Sequence, residues 1–167
     1  LIKSNDPSRK LKYTLQIIED SGSKIGVNTH LTNRLFFEAL ENNSLKEFNK
    51  NIKIQREVKF GKNTRFDFLI TEKKNKAFVE VKNVTLKRNP KVAEFPDAVT
   101  SRGAKHINEL MKASKKGYKI YLIFIIQRED CNQLSIAKDI DPDYSKSLFK
   151  ALKKKLNVLS YDCKFSP

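Results

Sequence analysis

Two short segments carry residues whose types and spacing suit metal-dependent phosphodiester chemistry: Arg65-Phe66-Asp67-Phe68-Leu69-Ile70 and Phe78-Val79-Glu80-Val81-Lys82. Side chains of a strand alternate between its faces, so Arg65, Asp67 and Leu69 are expected on one face and Phe66, Phe68 and Ile70 on the other. By the same rule Glu80 and Lys82 share a face, opposite Val79 and Val81. A symmetric hairpin across the polar turn Thr71 to Lys76, centred between Lys73 and Lys74, sets Asp67 opposite Glu80 and Arg65 opposite Lys82. Facing carboxylates with Cβ atoms about 4.5–5.5 Å apart repel, and a divalent cation reverses that cost. Mg²⁺, or Mn²⁺ in its place, suits two carboxylates, the Val81 carbonyl and retained waters, with no soft ligand nearby in sequence. In this reading Asp67, Glu80 and Val81 bind metal, and Glu38, on a preceding helix, completes the site. Lys82 orients or deprotonates the attacking water and stabilises charge on the phosphate. The competing reading is an exposed sheet face carrying a solvated ion pair, with Glu38 an ordinary surface glutamate.

Elements to position these residues are legible around them. Alternation in Leu11, Tyr13, Leu15 and Ile17 ends at the Ser21-Gly22-Ser23 turn, a hairpin leading into Ile25 to Val27. Asn28 reads as an N-cap, followed by the helical stripe Leu31, Leu35, Ala39 and Leu40, giving a helix to about Glu41. Strands are expected at Ile52 to Phe60, Thr64 to Ile70 and Ala77 to Val84. The stretch from Asn83 to Ser101 lacks periodicity and reads as a long functional loop. A second helix starts near Thr100 or Ser101, turns Ile107, Leu110, Met111 and Ser114 inward and stops at Gly117. Tyr118 to Ile126 is almost continuously apolar and suits a central strand buried on both faces, entered by a right-handed crossover. Asp141 caps a third helix with Pro142 at its first position and Tyr144, Leu148, Ala151 and Leu152 inward. With a last strand at Asn157 to Lys164, the order from Asn28 is α, β, β, β, α, β, α, β, an α/β chain with a mixed sheet and helices on both sides.

The 167 residues suit one ordinary domain, or one domain and a fragment, and 39% apolar residues can fill its core. Lys and Arg number 34 against 19 Asp and Glu, a formal charge of +15. That exceeds the magnitude of about 2–8 usual for a small domain and points to a polyanionic partner, DNA above all. The alternative is a surface merely rich in Lys, as AT-rich coding produces. Cys131 and Cys163 form no CxxC pair, and His30 and His106 lie far apart, which argues against zinc. No signal peptide or long apolar run is visible, so the chain reads as cytoplasmic, without membrane or small-molecule cofactor, and with a homo-oligomer left open. It opens at Leu1 without Met and reads as a fragment lacking an N-terminal part.

The stretch from Phe95 to Gly103 leads from the Lys82 strand into the second helix. Backbone N–H groups at that helix start, with Arg102, suit a phosphate. Ordinary capping by Thr100 or Ser101, with Asp97 near the positive helix end, explains the same residues. His106 is either a phosphate contact or a surface histidine of the helix, and Arg65 is a further candidate for phosphate contact.

Together these residues resemble the restriction-endonuclease-like, PD-(D/E)xK nuclease fold. More specifically, the chain resembles the sugar fermentation stimulation protein family. Asn5-Asp6-Pro7-Ser8-Arg9-Lys10, Val27-Asn28-Thr29, Asn33-Arg34, Arg65 to Leu69, Val79 to Leu86, Phe95-Pro96-Asp97-Ala98-Val99-Thr100 and Arg102-Gly103 carry that resemblance. It implies an N-terminal OB-like domain followed by a nuclease-like domain, DNA binding, and regulation of sugar-utilisation genes. Residues 1–27 then correspond to the last part of the OB-like domain, and 28–167 to the nuclease-like domain. Two functions follow: a Mg²⁺-dependent deoxyribonuclease, or a non-catalytic DNA-binding regulator that keeps the fold.

Overall fold

The computed structural model describes residues 1–165. Its strands and helices run β1 (Ile2–Lys3), β2 (Tyr13–Thr14), β3 (Ile17–Asp20), β4 (Ser23–Gly26), α1 (Thr32–Glu41), β5 (Lys53–Phe60), β6 (Thr64–Glu72) and β7 (Asn75–Val84). They continue as β8 (Leu86–Asn89), β9 (Lys91–Phe95), α2 (Ser101–Lys115), β10 (Lys119–Ile126), β11 (Cys131–Ile136), α3 (Pro142–Leu152) and β12 (Leu156–Asp162). The main sheet has five strands in the order β12-β10-β7-β6-β5. Its β5, β6 and β7 form an antiparallel meander, while β10 pairs in parallel with both β7 and β12. The β6–β7 hairpin has the register expected from its polar turn, with Glu72 opposite Asn75 and Phe68 opposite Val79. Lys73 takes a left-handed φ of 52° to close it.

Two apolar clusters cover the two faces of this sheet. Ile120, Leu122 and Phe124 of β10 join Ile107, Leu110, Tyr144 and Leu148 from α2 and α3. Ile123 and Ile125 instead join Phe36, Leu40 and Leu45 beside α1. A strand feeding both clusters has no polar face, which explains the unbroken apolar run in its sequence. No helix among the described residues is long and apolar enough to cross a membrane.

Several expectations from the sequence need correction. Asn28 caps a 3-10 turn, Thr29–Leu31, through its side chain and His30 N, so α1 begins only at Thr32. The buried side of α1 is therefore Thr32, Phe36 and Leu40, with Phe36 against Phe48 and Phe68 at ring-centroid distances of 5.9 and 5.4 Å. The supposed loop from Asn83 to Ser101 contains β8 and β9, which join β11 in a separate three-stranded sheet ordered β11-β9-β8. Ionic side chains hide that strand signal: Arg88 reaches Glu94 on β9 and Asp139 beyond β11. The alternation around Leu11 to Ile17 yields only β2 and β3, and Leu11, Tyr13 and Leu15 stay exposed. The β3–β4 hairpin forms about Ser21-Gly22, and Ile25 bridges to Arg128. In α2 the buried stripe is Gly103, His106, Ile107, Leu110 and Ala113, rotated from the one expected, and in α3 Leu152 is 43% exposed.

Phe36 is 1% exposed and ties α1 to both β6 and the segment before β5. Phe36→Ala is expected to cost about 3–5 kcal/mol, read as a lowered urea midpoint with an unchanged slope.

Candidate metal centre

The site forms where the β6–β7 ladder stops. Phe68 and Val79 are its last facing pair, and the next inward N–H on β7, that of Val81, donates to Asp67 Oδ2 at 2.7 Å. A side-chain carboxylate thus satisfies a backbone donor that would otherwise lack a partner on β6. The β5–β6 ladder is interrupted at the same point. Arg56 pairs with Phe68 and Val58 with Phe66, while Glu57, lying between, takes a φ of 56°. This distortion inverts the face alternation, so Phe66 belongs to the α2 side and Phe68 to the α1 side, contrary to the common face expected for them.

Glu80 points to the α2 side and is 3% exposed. Its Oε1 accepts from Lys82 Nζ at 2.7 Å and meets His106 Nδ1 at 2.5 Å. His106 Nε2 accepts from Arg102 Nε at 3.4 Å, so in this arrangement Nδ1 is the donor to Glu80. Among the described residues Glu80 Oε2 is buried without a hydrogen-bond partner, as is the Tyr144 hydroxyl. Burial opposes ionisation of Glu80, but the His106 hydrogen bond and the Lys82 charge outweigh it and hold the carboxyl below its ordinary range. Asp67 behaves oppositely. Burial first, and the Glu80 charge second, push it up to about 6, against the hydrogen bonds from Val81 and Asn33. Burial, then Glu80, also push the Tyr144 phenol up.

An open cleft of about 420 Å³ exposes this arrangement, and Asn33, Arg56, Asp67, Glu80, Val81, Lys82 and Arg102 are among its lining residues. Asn33 Nδ2 donates to Asp67 Oδ1 at 2.8 Å. The start of α1 is fixed over the sheet because Thr32 Oγ1 reaches Asn83 Oδ1 at 3.2 Å, and Gln127 Nε2 donates to both.

The structure therefore brings Asp67, Glu80, Val81, Lys82 and Arg102 to one cleft and leaves other candidates outside it. Glu38 is an exposed partner of Arg34 at 2.7 Å, with a side chain 45% exposed. It is five positions from Asn33, about 140° round the helix, so α1 offers an amide to the site and not an acid. Arg65 pairs with Lys59 in the ladder, not with Lys82, and its guanidinium is held by Glu57 at 2.7 Å. Thr100 caps α2: its Oγ1 accepts from Gly103 N at 2.9 Å and its N–H donates to Asp141 Oδ2 at 2.7 Å. Asp97 is exposed. His106 is 7% exposed, and its Nδ1 is engaged by Glu80, which excludes the surface histidine expected for it. Its spacing with Leu110 and Ala113 carried that signal in the sequence. Asn33 was foreshadowed only by the Asn-Arg string.

Among the described residues no three or more His, Cys, Asp or Glu gather as a ligand set. Asp67, Glu80 and the Val81 carbonyl are hard oxygen donors, a further cleft acid, Glu57, is held by Arg65 at 2.7 Å, and the orphaned Glu80 Oε2 gives such an ion an atom in need of a partner.

Three helices packed against a mixed sheet, with paired acids and a lysine in an open cleft, define a mixed α/β protein. The family model described as sugar fermentation stimulation protein RE domain matches residues 30–167. The chain belongs to the sugar fermentation stimulation protein family. It is 53% identical to a sugar fermentation stimulation protein homolog of Pelagibacter ubique over 98% of its own length and 71% of the relative's. A homolog from Rhodospirillum centenum is 41% identical over 100% of this chain and 72% of the relative. Among solved structures, SfsA of Pyrococcus furiosus in complex with Ca²⁺ matches with a TM-score of 0.86 and 28% identity, covering 98% of this chain and 71% of that one.

The raised Asp67 pKa fixes the sign of a pH effect. The folded state keeps a proton that the unfolded state releases at about pH 4, so stability falls as pH rises toward about 6. In metal-free buffer, wild type minus Asp67→Asn unfolding free energy should fall across that window by up to about 3 kcal/mol. Urea titrations at successive pH values measure it, and a flat difference contradicts the assignment.

Proposed function

We propose that the chain is a DNA-binding protein with a divalent-metal site of nuclease type, hydrolysing phosphodiester bonds with Mg²⁺ or Mn²⁺. The observation that carries this reading is the buried, unpartnered Glu80 Oε2 in a cleft shared with Asp67 and the cations Lys82, Arg56 and Arg102. The order of α1, the β5–β6–β7 meander, α2 and parallel β10 supports a PD-(D/E)xK core, with residues 1–27 as the end of an OB-like domain. The Ca²⁺ complex of the related structure supports an oxygen-ligated divalent ion. A cytoplasmic setting suits both the unpaired thiols and a DNA partner.

Asp67, Glu80 and the Val81 carbonyl would hold the ion, whose chemistry is charge neutralisation and polarisation of a phosphoryl oxygen. Lys82 lies one strand repeat beyond Glu80 on the same face, where its ammonium orients a water and offsets charge on the phosphate. Arg102 turns guanidinium donors to a phosphate oxygen while its Nε contacts His106. His106 and Lys82 both engage Oε1, which leaves Oε2 for the ion. His106→Leu is expected to weaken Mg²⁺ binding about 10–100-fold by calorimetry, and His106→Asn, whose amide replaces the Nδ1–H donor, to restore most of it.

A second reading, a non-catalytic DNA-binding regulator of sugar-utilisation genes, is favoured because no three such ligands gather among the described residues and the further cleft acid, Glu57, is engaged by Arg65. Single-stranded, duplex and branched DNA incubated with Mg²⁺ or Mn²⁺ separates the two. Cleavage lost in Asp67→Ala supports the enzyme. Salt-sensitive binding without cleavage supports the regulator, and absent binding at low salt refutes both.

A further inference from the structure

We infer that the outer face of α2 and the β5–β6 turn form the track along which a DNA strand reaches the cleft. The inference rests on the DNA-binding reading above and adds the surface that does the binding. Arg102, Lys105, Glu109, Lys112 and Lys116 recur at alternating spacings of three and four, which places them on one stripe of the helix. The stripe begins in the cleft, where Arg102 is a lining residue, and runs to the C-terminal end of α2. Beside it the turn around Gly61 closes a groove of about 550 Å³, lined by Lys62, Lys105, Lys112, Lys115 and Lys116.

Charge in this groove is almost uncompensated. Its single acid, Glu109, is held by Lys112 at 2.6 Å. Lys62, Lys105, Lys115 and Lys116 have no carboxylate within ion-pair distance among the described residues. Neutral contacts steady two of them: Lys105 Nζ donates to Asn63 O at 3.4 Å, and Lys116 Nζ lies 5.1 Å from the Phe60 ring centroid. Concentrated like charge costs self-repulsion that a polyanion removes. At about 1.5 Å rise per residue the stripe spans roughly 20 Å, which matches about six phosphates of one strand at about 3.4 Å each. A phosphodiester backbone, continuous and evenly charged, fits a straight lysine stripe leading into a cleft better than any compact anion does.

The test compares two variants with equal loss of charge. One replaces Lys62, Lys105 and Lys116 with Gln. The other replaces Lys46, Lys50 and Lys53, exposed residues before and at the start of β5, at the end of that strand remote from the Gly61 turn. Binding of a short single strand and of the matching duplex is measured in EDTA, from about 50 to about 200 mM salt. The track variant is expected to bind roughly tenfold or more weakly at about 100 mM salt, with the log–log salt slope reduced by about 3 on duplex and about 2 on single strands. The remote variant should stay within about twofold of wild type. Equal losses in both, or no loss in the track variant, overturn the track and leave the DNA reading standing. Wild type that fails to bind at low salt overturns both, and tighter binding of an RNA strand of the same length overturns the choice of DNA.

Discussion

The ionised Glu80 carboxylate, buried between the sheet and α2, is the constraint around which the site is arranged. A charge removed from water needs compensation from fixed partners. His106 supplies it from α2 and Lys82 from the same strand, so the crossover helix is tied to β7 by polar contacts as well as by Ile107 and Leu110. Asp67 completes the pattern in the reverse sense. It is the acid that burial and its neighbour's charge leave easiest to protonate. The two carboxylates are therefore unequal, one held ionised and the other poised near neutrality, and the inequality follows from which donors each one meets.

That arrangement also explains what was legible in the sequence. The β6–β7 register followed from the polar turn alone, because hairpin symmetry and a two-faced apolar pattern leave little freedom. The apolar run of β10 and the Asp141-Pro142 start of α3 were equally plain, since burial on both faces and capping are local signals. Glu38 misled because an acid near an apolar stripe is compatible with several helix rotations, and the 3-10 turn before α1 fixed one that presents Asn33. The second sheet is not legible in the sequence because its strands carry Arg88, Glu94 and neighbouring charges, and Arg88 finds a further partner, Asp139, far along the chain. The face change at Asp67 was invisible for a similar reason: it depends on Glu57, a residue of another strand, adopting a left-handed conformation.

The helix starts are joined by one side chain. Asp141 caps α3 through Tyr144 N at 2.8 Å and receives the Thr100 N–H at the start of α2. Gly103, in the first turn of α2, has no room for a Cβ, which would lie 2.8 Å from the Thr100 methyl and 3.1 Å from the Tyr144 ring. Close packing here holds the helix bearing Arg102 and His106 against α3, so the groups facing Glu80 are set by a neighbouring helix as well as by their own.

The bond from Val81 N–H to Asp67 gives one side chain two duties. The residue that offers an oxygen to the cleft also closes the sheet where its backbone ladder ends, so it has two reasons to persist. Replacing this aspartate loses a strand contact whatever the cleft does. The presence of Asp67 therefore speaks first for the integrity of the sheet. Lys82 differs: its ammonium satisfies no backbone group among the described residues and is spent on the Glu80 carboxylate alone, so its place in the cleft is not a requirement of the sheet.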